Sequence, residues 1–263
     1  MPYHAAPDHA APGLLAGRTI LVTGAGSGIG RAAALAFAEH GATVVLLGRR
    51  RSALEEVYDA IEARGAPQAA IVELDLAKLD ADQAAALADT LEQELGRLDG
   101  LLHNAAILGV LSPVEHYDPD IWRRVFQVNL HAAFLLTRAC LPLLRRSPDA
   151  SVVFTTADVG RRARAYWGAY AAASFALEGL AQTLADELAE NTNVRVNTLD
   201  PGAVRTAFRA RAYPGEDPAR HPAPEEILST YLYLMGPDSR GVTGKAFTAE
   251  RTPADATENP SAR

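Results

Sequence analysis

Short runs of β-forming residues alternate along almost the whole chain with longer Ala- and Leu-rich segments of helical period, and few folds accept that pattern. The runs are Thr19 to Thr23, Thr43 to Leu47, Ala69 to Leu74, Leu98 to His103, Ser151 to Thr156 and Val194 to Leu199, with a short seventh around Lys245 to Thr248. Between them the spacing predicts helices near Gly28 to His40, Ser52 to Arg64, Ala81 to Leu95, Pro119 to Arg145 and Gly168 to Ala189. Most of the strands are apolar along their full length, as strands are when helices cover both faces of a sheet. Together these features predict an α/β fold, a doubly wound parallel sheet of about seven strands in a single domain. A chain of 263 residues, 48% of them apolar, is long enough to bury one such core.

The domain is expected over residues 18–250. Residues 1–17 carry Pro, His and Ala without an apolar run flanked by basic residues, and read as a flexible arm rather than a signal peptide. Residues 251–263 are polar and read as a flexible tail. Between Arg211 and Pro224, four prolines and Gly215 break the periodicity, which suits a mobile loop beside a cleft. A net charge of -7 speaks against a nucleic-acid surface. No run approaches the ~18 apolar residues of a membrane span, so a cytoplasmic protein acting on small molecules is expected. Cys140 stands alone, which excludes an intramolecular disulfide and a cysteine-rich metal site, and no metal is expected. The helices predicted over 119–145 and 168–189 are partly apolar on more than one face and suit a homodimer or homotetramer.

The first strand runs into Thr23-Gly24-Ala25-Gly26-Ser27-Gly28-Ile29-Gly30 and then into an Ala-rich helix. Glycine lets backbone approach a pyrophosphate closely, and the free N–H groups of a helix start supply donors and partial positive charge. A strand, a glycine turn and a helix start in a βαβ setting therefore predict a dinucleotide cradle, the Rossmann arrangement. At the end of the second strand, Gly48-Arg49-Arg50-Arg51 offers no acid for a ribose 2'-hydroxyl and three guanidinium groups suited to a 2'-phosphate. NADP(H) is thus preferred over NAD(H), with Arg49 the candidate contact and Arg50 and Arg51 read as helix-start or solvent-facing residues. Asp75-Leu76 and Asn104-Ala105-Ala106 end the third and fourth strands, at the edge where ligands bind in an open sheet. A structural alternative for Asn104 is to hold neighbouring backbone.

With these motifs in place the chain resembles the short-chain dehydrogenase/reductase family over nearly its whole ordered length. The likeness is nearest to the bacterial YciK-type branch, through Gly160-Arg161-Arg162 before Trp167-Gly168-Ala169-Tyr170, through Phe208-Arg209-Ala210, and through Tyr231-Leu232-Tyr233-Leu234-Met235-Gly236. The resemblance implies that Asp75 contacts the adenine and that Asn104-Ala105 lines its ribose side. It also implies that Pro201, Gly202, backbone at Val204 and the Thr206 hydroxyl hold the nicotinamide end. It implies a catalytic tetrad as well, and here the chain departs from the pattern. Asn129 and Tyr170 match the family's Asn and Tyr, but Ala157 stands at the serine position and Ser174 at the lysine position.

Each departure has a size. Proton transfer by a placed tyrosine contributes about 10²- to 10⁴-fold, and a lysine ammonium within ~4 to 6 Å is what brings a phenol of pKa ~10 toward neutrality. Ser174 shares a helix face with Tyr170 but carries no charge. Ala157 removes a hydroxyl comparable to an oxyanion donor, roughly 10²- to 10³-fold. Thr155, Thr156 or Asp158 beside Ala157, and Arg161, Arg162 or Arg164 near Tyr170, are the possible substitutes. Two readings follow: an NADP(H) oxidoreductase with weak carbonyl or alcohol hydride transfer, or a non-catalytic NADP(H)-binding sensor or assembly subunit.

Overall fold

The computed structural model describes residues 11–249; most of the expected arm and all of the expected tail lie outside the described residues. Seven parallel strands, β1 (Thr19–Thr23), β2 (Thr43–Gly48), β3 (Ala70–Glu73), β4 (Gly100–His103), β5 (Ala150–Thr155), β6 (Val194–Asp200) and β7 (Ala246–Thr248), form one sheet in the order β3-β2-β1-β4-β5-β6-β7. The chain winds outward from β1 to β3 and then returns to the other side of β1, where Val22 pairs with Leu102. That reversal opens a crevice at the carboxyl ends of β1 and β4.

Why the strands read as unbroken apolar runs is visible in how their side chains divide. Ile20 and Val22 enter one core and Leu21 the other, and Val44 and Leu46 part from Val45 and Leu47 in the same way. The first core is closed by α1 (Gly28–Glu39), α2 (Arg51–Glu62) and, beyond them in the chain, α8 (Leu228–Met235). The second is closed by α3 (Ala81–Leu95), α5 (Ala132–Arg145) and α6 (Gly168–Ala189).

Three elements differ from expectation. The helix expected over 119–145 is α4 (Pro119–Phe126) and α5 joined by a π-turn over Gln127–His131. The wider turn carries Asn129, whose Oδ1 accepts from the Ile107 N–H and whose Nδ2 donates to the Ile107 carbonyl, both at 2.9 Å. The expected loop from Arg211 begins inside a short helix, α7 (Ala207–Ala212), and is pinned by the ion pair of Glu216 with Arg209 and by the approach of His221 Nε2 to Glu216 at 3.0 Å. The third, α8, was hidden because nearly every side of it is buried, leaving no polar face to mark a period. Within the stretch expected as the arm, Leu15 belongs to the folded domain: it is fully buried and its N–H donates to the His40 carbonyl at 2.9 Å.

At the amino ends of the strands, away from the crevice, Asp149 receives Arg18 at 2.9 Å, Arg240 at 3.2 Å and Arg195. Beside it Asp99 accepts from the Ser147 hydroxyl at 2.6 Å and the Thr19 N–H at 2.9 Å. Groups this buried cost heavily when one partner is lost, so this edge serves stability. Among the described residues no helix is long and apolar enough to cross a membrane.

Candidate active site

The glycine turn is held by contact rather than by side-chain bonds. A Cβ on Gly30 would lie 2.6 Å from Asn104 Nδ2 and closer still to the Gly24 carbonyl, and one on Gly24 would lie 3.1 Å from Ala105 Cα. Gly24 also has a φ of +70°, a conformation side chains resist. The Thr23 hydroxyl locks the two strand ends together, donating to the Leu102 carbonyl and accepting from the N–H groups of Asn104 at 2.9 Å and Ala105 at 3.1 Å. Asn104 Nδ2 donates to the Thr23 carbonyl at 3.3 Å, which is the backbone-holding alternative for that residue. Ser27 sits at the N-cap of α1 without a side-chain capping bond, leaving the first-turn N–H groups beside Gly28 and Ile29 to a ligand.

Around this cradle the other candidates fall at the same sheet edge. Arg49 and Arg50 are exposed and, among the described residues, have no ion-pair partner, whereas Arg51 is bound to Glu55 at 2.8 Å. One oxygen of Asp75 accepts from the Ala77 N–H, shaping the turn that buries Leu76. Ala106 is exposed. Past β6, Asp200 accepts from the Gly202 N–H at 2.8 Å after Pro201, Val204 is buried, and the Thr206 hydroxyl caps α7 by accepting from the Arg209 N–H at 3.2 Å. The Thr206 methyl lies 3.4 Å from where a Cβ on Gly28 would be, so this segment closes over the start of α1.

Tyr170, Ser174 and Glu178 lie one turn apart along one face of α6. Tyr170 is 9% exposed and is enclosed by aromatic rings, Phe208 at 5.3 Å and Trp167 at 5.8 Å between centroids. Burial, then the carboxylates of Asp200 and Asp158, hold its phenol well above the ordinary value. Both of these charges are negative, and neither favours the phenolate. Ser174 is also buried, and its hydroxyl donates at 2.8 Å to the Tyr170 carbonyl, back into its own helix.

Most of the possible substitutes are otherwise engaged. Arg161 binds Glu178 at 3.0 Å and the Phe247 carbonyl at 3.0 Å, and Thr156 donates to the same carboxylate at 2.8 Å. Arg164 is paired with Asp158, and Arg162 is exposed. Thr155 alone of the hydroxyls beside Ala157 borders a cavity shared with Tyr170, Ser174 and Asn129, and its oxygen lies 3.3 Å from the Tyr231 hydroxyl. That cavity is about 20 Å³, room for a single water. His103 borders it too, but stacks on Phe154 and pairs with Thr137 at 2.8 Å, and burial pushes its pKa down to about 3. Cys140 is buried, with its thiol pushed up to about 12 by that burial.

Sequence reasoning missed Phe208 and Asp200 as neighbours of Tyr170. Phe208 had been noted only as part of a branch-specific run, and nothing in sequence spacing announces that α7 folds back over α6. Asp200, just before Pro201, has nothing in its sequence setting that marks it as a charge acting on the phenol.

The model of the family described as short chain dehydrogenase matches residues 18–217. The chain is 48% identical over 237 residues to the uncharacterized oxidoreductase YciK of Escherichia coli strain K12, covering 90% of this chain and 93% of that one. A structure described as a short chain dehydrogenase from Pseudomonas syringae superposes with a TM-score of 0.91 at 56% identity, covering 92% of this chain and 98% of the other. Another from Escherichia coli CFT073, complexed with NADPH, gives 0.88 at 48% identity, covering 91% and 99%.

Proposed function

This chain belongs to the short chain dehydrogenase family, and on that premise we propose that it binds NADP(H) and reduces carbonyl groups slowly. The observation that carries the reading is the cradle at β1 and β4, where Gly30 leaves no space for a Cβ and Gly24, tightly packed at a φ of +70°, resists one. A pyrophosphate approached by bare backbone at a helix start fits such a turn. Arg49, exposed at the end of β2, suits the 2'-phosphate. A relative 48% identical to this chain is complexed with NADPH. When bound, NADPH supplies the hydride that the carbonyl carbon receives.

The chain's own part is the proton. Tyr170 Oη–H donates it to the carbonyl oxygen as the alcohol forms. The phenolate left behind is opposed by burial and by Asp200 and Asp158, so its reprotonation is fast and its stabilisation poor. Reduction uses the protonated phenol that this setting favours; oxidation of an alcohol needs the phenolate that it opposes. Ala157 offers the substrate oxygen no second donor. Phe208 lies against Tyr170, so α7 covers one side of the phenol.

A second reading, a non-catalytic NADP(H)-binding sensor or assembly subunit, is favoured by the engagement of Arg161 with Glu178 and of Arg164 with Asp158, which leaves neither guanidinium to replace the missing ammonium. Calorimetry with NADPH and NADH, followed by NADPH oxidation over aldehydes, ketones and quinones, separates the readings. Tighter binding of NADPH and a slow turnover that vanishes in Tyr170→Phe are expected. Absence of binding at millimolar cofactor defeats both readings, and binding without turnover leaves the sensor. We also infer a homodimer or homotetramer through α4, α5 and α6, because Phe134 on α5 and Phe175 on α6 are 46% and 44% exposed; sedimentation reads the stoichiometry.

A further inference from the structure

Apolar surface is concentrated beside Tyr170. Of the six large apolar residues exposed among the described residues, four are Val110, Leu111 and Val114, on the connection from β4 to α4, and Tyr166, just before α6. The two loops are joined where the Ser112 N–H donates to the Tyr166 carbonyl at 3.1 Å. A Cβ on Gly168, two residues before Tyr170, would lie 3.8 Å from Val114 Cγ2, so the rim abuts the start of the helix that carries the phenol. Inward from the rim, the Trp167 ring meets those of Tyr170 and Tyr213 at 5.8 and 5.7 Å. Two guanidinium groups reach this wall, Arg164 on the Tyr213 hydroxyl and Arg209 over the Tyr213 ring, and each is paired with a carboxylate, Asp158 and Glu216 respectively.

Tyr166 is also the one non-glycine among the described residues with a positive φ, +73°. A bulky side chain in that region is strained, and strain that survives at the mouth of a cleft points to use. Its side chain is 60% exposed, so packing into the protein is not what holds it there. Contiguous exposed apolar surface running into a cleft marks a ligand contact.

We propose that this rim grips the body of an apolar carbonyl substrate, a ketone or aldehyde with an extended alkyl or aryl group, and that Tyr166 is a specificity-determining residue. The inference rests on the reduction reading for the fate of the ligand but not for its binding. The test is calorimetric binding of methyl ketones from hexanone to undecanone, with NADP⁺ saturating so that no turnover is needed. Affinity should rise about fourfold for each methylene added. The rise should flatten in Val114→Asn and Leu111→Asn, and in Tyr166→Asn, where Asn tolerates the left-handed backbone and the melting temperature should if anything rise, while NADP⁺ affinity stays as in wild type in all three and no variant melts below it. With NADPH, the same variants should raise KM for long ketones and leave kcat unchanged.

An unchanged ladder in all three variants, or glyceraldehyde binding as tightly as undecanone, overturns the proposal. A clear ladder without turnover overturns the reduction reading and leaves the rim standing; turnover with a flat ladder overturns the rim alone. If Val114→Asn disperses an oligomer yet ketone binding persists, the rim is a subunit contact and the proposal fails.

Discussion

Two regions share the carboxyl edge of the sheet and are built in different ways. The cradle around Gly24 and Gly30 is made of backbone pressed against backbone, so its chemistry and its packing are the same thing. The region around Tyr170 is made of side chains hung on a frame that stands without them: α6 runs unbroken past Ser174, and Ala157 sits in a turn closed by the Gly160 N–H to its own carbonyl at 2.8 Å. A cradle of the first kind is hard to lose while the fold remains. Proton-transfer groups of the second kind can be replaced one atom at a time with little effect on the core.

The strongest way to sharpen that contrast is to restore what the frame lacks. In Ala157→Ser with Ser174→Lys, an ammonium near Tyr170 lowers its pKa and a hydroxyl returns to the substrate oxygen. Carbonyl reduction should rise roughly 10²- to 10⁴-fold in kcat/KM, less than the product of the two effects because such groups act as a unit. The pH dependence should change as well. In wild type the phenol, held well above its ordinary value, stays protonated through neutral and mildly alkaline pH and gives a flat reduction profile. In the double variant, alcohol oxidation should emerge and rise as pH increases through the lowered pKa. A variant that binds NADPH but gains neither breaks the comparison, because the frame is then not what a lysine needs.

The converse test falls on the cradle. Gly30→Ala puts a methyl into the Gly24 carbonyl and Asn104, and overpacking of this kind costs about 1–3 kcal/mol. NADPH affinity should fall about a hundredfold with a lowered melting temperature, read by calorimetry and thermal denaturation. Loss of affinity without loss of stability would separate chemistry from packing there after all.

This difference in construction also decides what could be read from the sequence. The alternation of strands and helices, the glycine turn and the vacancies at 157 and 174 are local and appear in the order of residues. Contacts between elements distant in the chain do not. Phe208 reaches Tyr170 only because α7 folds over α6, and Arg161 looked available until its partner Glu178, seventeen residues on, was seen to be buried beside it. The break between α4 and α5 escaped because a π-turn adds only one residue to a helix and no breaker residue marks it in Gln127–His131. The pair of Arg51 with Glu55, four residues along the same helix, is by contrast a contact of the local kind that residue order does carry.

Arg49 gives the next, smaller effect. In Arg49→Glu the charge offered to a 2'-phosphate is reversed, and NADPH affinity should fall roughly ten- to a hundredfold while NADH affinity changes little, as expected for loss of a charge-assisted bond. Parallel titrations of the two cofactors check it. An equal loss of both would place the residue's effect in the cradle's shape and not in the phosphate.

The smallest expected effect concerns the segment that closes the catalytic side. Arg209 donates from Nε and Nη2 to the two oxygens of Glu216 at 2.6 and 2.8 Å, stacking over the Tyr213 ring, and this holds the Glu216 carboxyl down to about 2. A folded-state value below the unfolded one means that the pair contributes fully above the ordinary carboxylate range, and that the contribution is lost as pH falls from about 4.5 toward about 2. The bridge is partly exposed to solvent, so Glu216→Gln should lower the melting temperature near neutral pH by only about a degree or two. The gap between variant and wild type should close as pH falls through that window, with NADPH affinity unchanged throughout. A gap that persists at the acid end would mean that neutral hydrogen bonding, not charge, holds α7 over Tyr170. The lid would then belong with the packed cradle rather than with the replaceable side chains.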